Sequence, residues 1–394
     1  TDSQEPTPVR LQCAWLDASR ANDGPTLDCL HPDHATTTWE QCQTCTDYLF
    51  PVLSPNMPVD MAARLMSLPA REQPYGWWRW DNIREAFRKL AAQAIAQTPD
   101  WIPPAADRGI VIVGGGRYLV SAYVTIRVLR HVGCTLPIEL WHLDGEMDEE
   151  SCRLVEPFGV TCRNAERIDA SSSFRFLSGH WWRGWQLKSF ALQNCSFREV
   201  LYLDADCYPV RNPEFLFDWP PYREWGAVFW PDLEMNRGMI HPDAWDLFGV
   251  ERLTDLPTES GQMLVNRELC HREVHLAAHY NQHADLVYHA LYGDKDTFPI
   301  AWQRLGRRYA RMWPVARMAS VAVKQLDSDG NLLFLHRVHD KFRLSGTSFD
   351  GTPQFNAGNT FCSEFPLEQF CFDVADDLNR GPAREICSRL QGAL

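Results

Sequence analysis

Two carboxylates one residue apart, closing an apolar run, carry the sharpest chemical signal in this sequence. Arg198-Glu-Val-Leu-Tyr-Leu-Asp-Ala-Asp206 reads as a buried strand that stops abruptly on Asp204, Ala205 and Asp206. At a strand's carboxyl end such groups face the crevice where α/β proteins hold ligands. Carboxylates are hard oxygen ligands suited to manganese or magnesium, and such an ion can also hold a diphosphate. It then stabilises negative charge on a departing nucleotide diphosphate, as transfer from a nucleotide-sugar requires. The competing reading of Asp-x-Asp is a solvated loop with an Asx turn.

A second feature lies upstream. Gly109-Ile-Val-Ile-Val113 is a β-branched run ending in Gly114, Gly115 and Gly116. Glycines after a strand let backbone approach a ligand closely. Arg117, Tyr118 and Leu119 follow, so the third glycine of the dinucleotide fingerprint is missing. That argues against a nicotinamide site and for a nucleotide base or ribose over the turn. A tight turn without a ligand is the alternative. A third feature is Cys13, Cys29, Cys42 and Cys45, which include one Cys-x2-Cys pair. Four soft ligands suit a tetrahedral structural zinc, and His31 or His34 could replace a cysteine. An iron–sulfur cluster and plain thiols stay open. The other cysteines are scattered in apolar contexts, where they behave as small buried hydrophobes.

These groups need a scaffold, and the patterning supplies one. A strand over 109–113, the glycine turn, an amphipathic helix through Leu119, Tyr123, Ile126, Val128 and Leu129, and a strand over Pro137–His142 follow in order. That succession predicts an α/β domain with a mostly parallel central sheet. Asp148 can cap the next helix. Further strands are expected at Val200–Leu203, Gly226–Trp230, Gln262–Val265 and Leu332–Leu335. Further helices are expected at Trp185–Gln193, Leu269–Tyr280 and Thr297–Leu305. The chain divides into a Cys/His-rich unit (1–50), a proline-punctuated helical connector (51–104), the catalytic α/β domain (105–345) and a loop-rich extension (346–394). The connector holds a helix capped by Asp81, with Ile83, Phe87, Leu90, Ala91 and Ala94 at helical spacing. The extension ends in a helix near 382–392.

With 45% apolar and 23% charged residues in 394, disordered and fibrous classes are excluded. A net charge of −13 argues against a broad grip on a nucleic-acid backbone. The polar, acidic start Thr1–Pro8 does not read as a signal peptide, and no apolar run is long enough to span a membrane. The expectation is a soluble, cytoplasmic protein.

Several blocks together resemble glycosyltransferase family 71, the α-mannosyltransferase family related to the retaining family 8 enzymes. They are Gly109-Ile-Val-Ile-Val-Gly-Gly-Gly116, Leu129-Arg-His-Val-Gly-Cys-Thr-Leu-Pro-Ile-Glu-Leu-Trp-His142, Glu199-Val-Leu-Tyr-Leu-Asp-Ala-Asp206 and Gly226-Ala-Val-Phe-Trp-Pro-Asp232. Glu259-Ser-Gly-Gln262, Gly293-Asp-Lys-Asp-Thr-Phe298 and Leu335-His-Arg-Val-His-Asp-Lys341 follow in the same order. The resemblance implies a GT-A fold, a divalent metal and configuration-retaining transfer.

Residue by residue, it implies that Asp204 and Asp206 bind the metal with His336 as third ligand. His339 competes for that role. Lys341 would lie near the diphosphate, one residue closer to His336 than in the family 8 motif. Lys188 matches a basic position near the donor, with an exposed helix charge as the alternative. Ala205 and the glycines Gly114, Gly115 and Gly116 fall on the donor side. Cys207 stands where the resembling sequences carry Asn.

Asp294, Asp296, Glu259 and Gln262 would surround the donor sugar and acceptor, where a carboxylate or amide oxygen can stabilise an oxocarbenium-like state. Lys295 stands where family 8 often has Gln, and Asp294 could instead cap the helix starting near Thr297. The fungal members are membrane-anchored Golgi enzymes. No such anchor is expected in this chain, and its Cys-rich header is closer in style to soluble bacterial or phage members. The family implies GDP-mannose, with UDP-sugars open, and an acceptor that is a glycan, a protein or a modified nucleic acid. A competing function is a sugar- or nucleic-acid-binding protein with an inactive transferase fold and a zinc docking module. The intact Asp204, Asp206 and His336 set favours the enzyme.

Overall fold

The computed structural model describes residues 26–28, 36–38 and 76–391, apart from 169–173, 175, 177–182, 235, 237–239, 241–243, 253–256, 292, 315 and 348–358. Cys13, Cys29, Cys42 and Cys45 lie outside the described residues, as do His31 and His34. The first strands, β1 (Thr26–Asp28) and β2 (Thr36–Thr38), pair antiparallel with each other.

The remaining strands are β3 (Ala106–Val113), β4 (Ile138–His142), β5 (Val160–Asn164), β6 (Phe197–Asp204), β7 (Cys207–Pro209), β8 (Ala227–Pro231), β9 (Thr258–Asn266), β10 (Ala310–Arg311), β11 (Arg317–Ala319), β12 (Ala322–Leu326) and β13 (Leu332–His336). The helices that matter for the site are α1 (Gly76–Ala96), α2 (Leu119–His131), α3 (Glu149–Val155), α4 (Arg183–Asn194), α5 (His271–Gln282), α6 (Thr297–Arg304), α7 (Glu368–Asp377) and α8 (Gly381–Gln391).

Seven strands form the main sheet in the order β10-β8-β9-β6-β3-β4-β5. β3 pairs parallel with β4 and β6, and β4 pairs parallel with β5. β9 runs antiparallel between β6 and β8. Strands covered on both faces read as continuous apolar runs, as β3 does over Gly109–Val113 and β6 over Val200–Leu203. Alternate residues serve opposite cores. Ile110, Ile112, Leu201 and Leu203 pack with Val120, Val124 and Ile126 of α2. Val111, Val200 and Tyr202 pack with Phe87 of α1, Phe190 of α4, Leu276 of α5 and Trp302 of α6. Each fully buried aliphatic or phenyl side chain contributes roughly 1.5–3 kcal/mol relative to exposure. A β-carbon at Gly109 would lie 2.4 Å from Phe197 Cε1, so only glycine fits under that ring.

A second, four-stranded sheet runs β11-β12-β13-β7. β7 follows β6 almost directly and pairs antiparallel with β13, with His336 opposite Cys207. This register carries a residue from late in the chain to the end of β6.

Element ends differ from the sequence reading where no capping residue marks them. α1 begins at Gly76, ahead of Asp81. β9 extends back through Glu259-Ser-Gly to Thr258. Asp148 does cap α3: its side chain accepts from Ser151 N at 2.9 Å, while Ser151 Oγ accepts from Asp148 N at 2.8 Å. The segment after 345 contains α7, which packs on α2 with His131 and Phe370 rings stacked at 4.1 Å. It also contains α8, which lies on the turn Gly116–Tyr118. Among the described residues no helix is long and apolar enough to cross a membrane.

α5 carries His271, His275 and His279 at four-residue spacing, with His283 just past its end. The His279 and His283 rings lie 4.9 Å apart. Burial holds the His279 imidazole down at about 3 and the His283 imidazole at about 4. An exposed histidine titrates near 6.5, so the unfolded chain takes up these protons first as pH falls. Their stabilising contribution is full above about pH 6.5 and is lost as pH falls from there to about 3, the folded value of His279. Thermal unfolding should therefore drop by several degrees between about pH 7.5 and about pH 5. The double variant His279→Gln/His283→Gln should flatten that slope; a slope equal to the parent's would exclude these rings as its source.

Candidate metal centre and active site

Asp204 is the last residue of β6, and its Oδ1 accepts the Tyr202 hydroxyl at 2.6 Å. The chain then turns through Ala205, whose carbonyl accepts Thr125 Oγ1 of α2 at 2.7 Å. Asp206 follows, and its carbonyl accepts Arg337 N at 2.9 Å, which extends the β7–β13 register by one step. His336 Nε2 thus comes 3.3 Å from Asp206 Oδ1 and 3.8 Å from Asp204 Oδ2. One ligand atom from each of Asp204, Asp206 and His336 lies within 4.8 Å of the other two. Gly261 on β9 makes room for the ring, since a β-carbon there would be 2.5 Å from His336 Nδ1.

Cations surround this cluster. Lys188 of α4 donates to Asp204 Oδ2 at 3.0 Å and to Ser260 Oγ at 3.1 Å, and sits 3.5 Å from Asp294 Oδ2. Ser260 passes the bond on, donating to Asp294 Oδ2 at 2.9 Å. Lys341 pairs with Asp206 Oδ2. Lys295 pairs with Asp232, which also accepts Leu233 N at 2.7 Å and Asn236 Nδ2 at 2.9 Å. Glu259 accepts Gly261 N at 2.8 Å and lies 3.4 Å from His336 Nδ1 without hydrogen-bond geometry.

The titration of these groups follows from their neighbours. Burial alone would raise the Asp206 carboxyl, but Lys341 and His336 hold it well below the usual range. Burial would lower the His336 imidazole, yet Asp206 and Glu259 raise it to about 10. Glu259 is held at about 2, with His336 and Lys295 overcoming its burial. Burial pushes Asp296 up to about 6, against the pull of Lys295. Burial also raises Asp294, partly offset by Lys188.

Asp204, Asp206, His336, Lys188, Lys341, Glu259 and Asp294 therefore meet at one place. Asp296 Oδ1 accepts Thr258 N at 3.2 Å, while its Oδ2 is buried without a hydrogen-bond partner. Gln262 Oε1 accepts the Cys207 thiol at 3.3 Å, and its Nε2 is likewise buried without a partner. The glycine turn adjoins the centre. A β-carbon at Gly114 would meet Ala205 Cβ at 3.3 Å, Gly116 has a left-handed φ of 49°, and Lys341 Nζ lies 5.9 Å from the Tyr118 ring.

His339 is exposed and stays out of the cluster. Asp294 does not cap α6 with its carboxylate; the N-cap residue is Asp296, without a side-chain bond. Lys188 is not an exposed helix charge but a buried one. Sequence reasoning missed Tyr202, Ser260 and the Asp232–Lys295 pair. Each lay inside a quoted motif, but no local pattern reveals pairing between distant segments.

Two carboxylates and an imidazole make an oxygen-rich donor set that fits manganese or magnesium, with further positions open to substrate oxygens. Fold and site together define an α/β protein with a candidate divalent-cation site at the carboxyl edge of its main sheet. The chain belongs to the mannosyltransferase family described as "Mannosyltransferase putative", whose model matches residues 107–255 and 249–325, more than half of the chain. It is similar to the alpha-1,2-mannosyltransferase MNN21 of Candida albicans, 27% identical over 57% of this chain and 42% of that protein. It is also similar to the alpha-1,2-mannosyltransferase MNN2 of Saccharomyces cerevisiae, 29% identical over 49% of this chain and 39% of that protein. The chain thus spans less than half the length of these two relatives. A solved structure of the galactosyltransferase LgtC with donor and acceptor sugar analogues aligns over 52% of this chain and 73% of that one. Its TM-score is 0.37 at 16% identity.

Gly261→Ala tests the ligand geometry. The added methyl must displace the His336 ring, so affinity for manganese should fall on the order of tenfold or more. Manganese titration followed by electron paramagnetic resonance would measure it. Unchanged affinity in a variant with parental circular dichroism would remove His336 from the ligand set.

Proposed function

We propose that the chain is a metal-dependent, configuration-retaining glycosyltransferase that moves a sugar from a GDP- or UDP-linked donor. The observation that carries this reading is the convergence of Asp204, Asp206 and His336. Mannose from GDP-mannose is the first donor to test, because the family and its named relatives are mannosyltransferases.

In this reading Asp204, Asp206 and His336 hold manganese or magnesium. Such an ion, when bound, supplies positive charge to the diphosphate oxygens of the leaving nucleotide. Lys341 adds a cation on the same side, and the backbone of Gly114, Gly115 and Gly116 offers close approach to the base or ribose. Lys188 bridges Asp204 and Asp294, so it ties the position of the metal ligand to that of the sugar pocket. Asp294, Asp296, Glu259 and Gln262 line that pocket. The unpartnered Asp296 Oδ2 and Gln262 Nε2 supply hydrogen-bonding capacity suited to sugar hydroxyls. A carboxylate held close to the anomeric carbon stabilises developing positive charge there.

Incubation with a panel of nucleotide sugars and manganese, with release of nucleotide diphosphate as the readout, tests the reading. Chelation should abolish release and manganese should restore it; release that survives thorough chelation would defeat the proposal. Asp294→Asn should cost about a hundredfold in rate with little change in manganese affinity. An α-linked product from an α-linked donor, seen at the anomeric proton by NMR, is expected, and a β-linked product would rule out retention.

For the Cys-rich segment the proposal is one structural zinc held by Cys13, Cys29, Cys42 and Cys45. Elemental analysis should find about one zinc per chain. Cys42→Ser should lose it, and iron with visible absorbance would replace this assignment with an iron–sulfur cluster.

A further inference from the structure

Tyr202 is fully buried on β6, in the core that also holds Phe190 of α4 and Trp302 of α6. A buried hydroxyl is unfavourable unless it finds a hydrogen-bond partner. Phenylalanine would fill the same space without that requirement, so the partner is informative. It is Asp204, whose Oδ1 accepts the Tyr202 hydroxyl at 2.6 Å. Strand geometry accounts for the reach. Residues two apart on a strand share a face, at a spacing of about 6.6 Å. A tyrosine leaning along the strand covers roughly that distance from its Cα to its hydroxyl. The register fixes Tyr202 from both sides, opposite Val111 of β3 and Met263 of β9.

The two oxygens of Asp204 are thereby divided. Oδ1 is taken by Tyr202, while Oδ2 faces His336, 3.8 Å from its Nε2. Lys188 does not make this division, since it bonds Oδ2 at 3.0 Å and leaves Oδ1 to Tyr202. The distinction matters for the choice of cation. Calcium gathers roughly six to eight oxygens and draws on carboxylates that give both of theirs. Manganese and magnesium keep about six ligands in an octahedron. A carboxylate restricted to one oxygen therefore favours the smaller ions.

We propose that Tyr202 is a positioning residue that holds Asp204 as a one-oxygen ligand and so sets the preference of the site for manganese or magnesium over calcium. This rests on the metal-site reading given above and adds the residue that decides which cation is taken. Tyr202 acts through Asp204, from a place in the core rather than in the substrate cleft.

The test strips the full chain of divalent ions and titrates it with manganese, with the bound fraction read by electron paramagnetic resonance. Calcium is then added as competitor. The parent should retain manganese until calcium is in large excess. Tyr202→Phe keeps the ring and removes the hydroxyl. With Oδ1 released, Asp204 can turn and offer both oxygens. Manganese affinity should fall about tenfold, as is usual when a partner of a ligand is lost, while calcium affinity holds or rises. The ratio of the two affinities should fall by about the same factor. That ratio separates positioning from mere support of the fold, which would weaken both ions alike. Tyr202→Met also removes the hydroxyl while filling the gap flexibly, and it should shift the ratio in the same direction.

An unchanged ratio in either variant, with parental circular dichroism, would overturn the proposal. Equal affinity of the parent for the two ions would overturn it without any variant. A parent that binds neither ion would defeat the metal-site reading itself, and this proposal with it.

Discussion

Asp204, Asp206, Asp232, Glu259, Asp294 and Asp296 crowd one end of the main sheet, mostly out of reach of water. In such a setting their mutual repulsion would drive protonation or unfolding. Lys188, Lys295, Lys341 and His336 counter it, each paired with one or more of these carboxylates. The cations come from α4, the β13–Lys341 segment and the turn before α6, while the carboxylates come from β6, β8, β9 and that same turn. No local segment can hold its share of the charge alone. Removing one partner of a buried pair typically costs about 3–5 kcal/mol, because the other is left uncompensated. The fold and the site are therefore selected together.

Arg337 applies the same logic one layer outward. Its guanidinium is fully buried, and donates to Glu368 Oε1 at 2.7 Å, to the Asp340 carbonyl at 2.7 Å and to the Thr360 carbonyl at 2.9 Å. Glu368 in turn accepts the Tyr208 hydroxyl at 3.2 Å and Cys362 N at 3.0 Å. Through its backbone Arg337 also holds Asp206. The start of α7 thereby bears on the segment that presents His336 and Lys341. The stretch after 345 belongs to the architecture of the site rather than hanging from it.

How much of this was readable in advance depended on range. The β6 strand and its carboxylate end were legible, because a strand buried on both faces gives an unbroken apolar run and its polar exit stands out. The glycine turn and α2 were legible for the same local reason. His336 was legible only through resemblance to other sequences, since its place depends on a register with Cys207 far earlier in the chain. α7 escaped notice because it starts after Leu367 at a left-handed φ of 62°, with no capping side chain to announce it. Lys295 could be placed in its motif but not paired, because Asp232 reaches it from another strand.

α8 sits on the turn Gly116–Tyr118, with the Leu390 carbonyl 3.7 Å from where a Gly116 β-carbon would be, and Arg389 bridges to Glu150 at 2.9 Å. That places the cover of this turn much later in the sequence than the turn itself. At translation rates of about 5–20 residues per second, Gly116 leaves the ribosome on the order of ten seconds to a minute before its cover does. Through that interval the sheet can assemble, but the apolar surface destined for Cys387 and Leu390 stays open to other chains. A pause in translation between the two, or any hindrance to the docking of α8, would lengthen this exposure and make the nascent protein a natural client for chaperones.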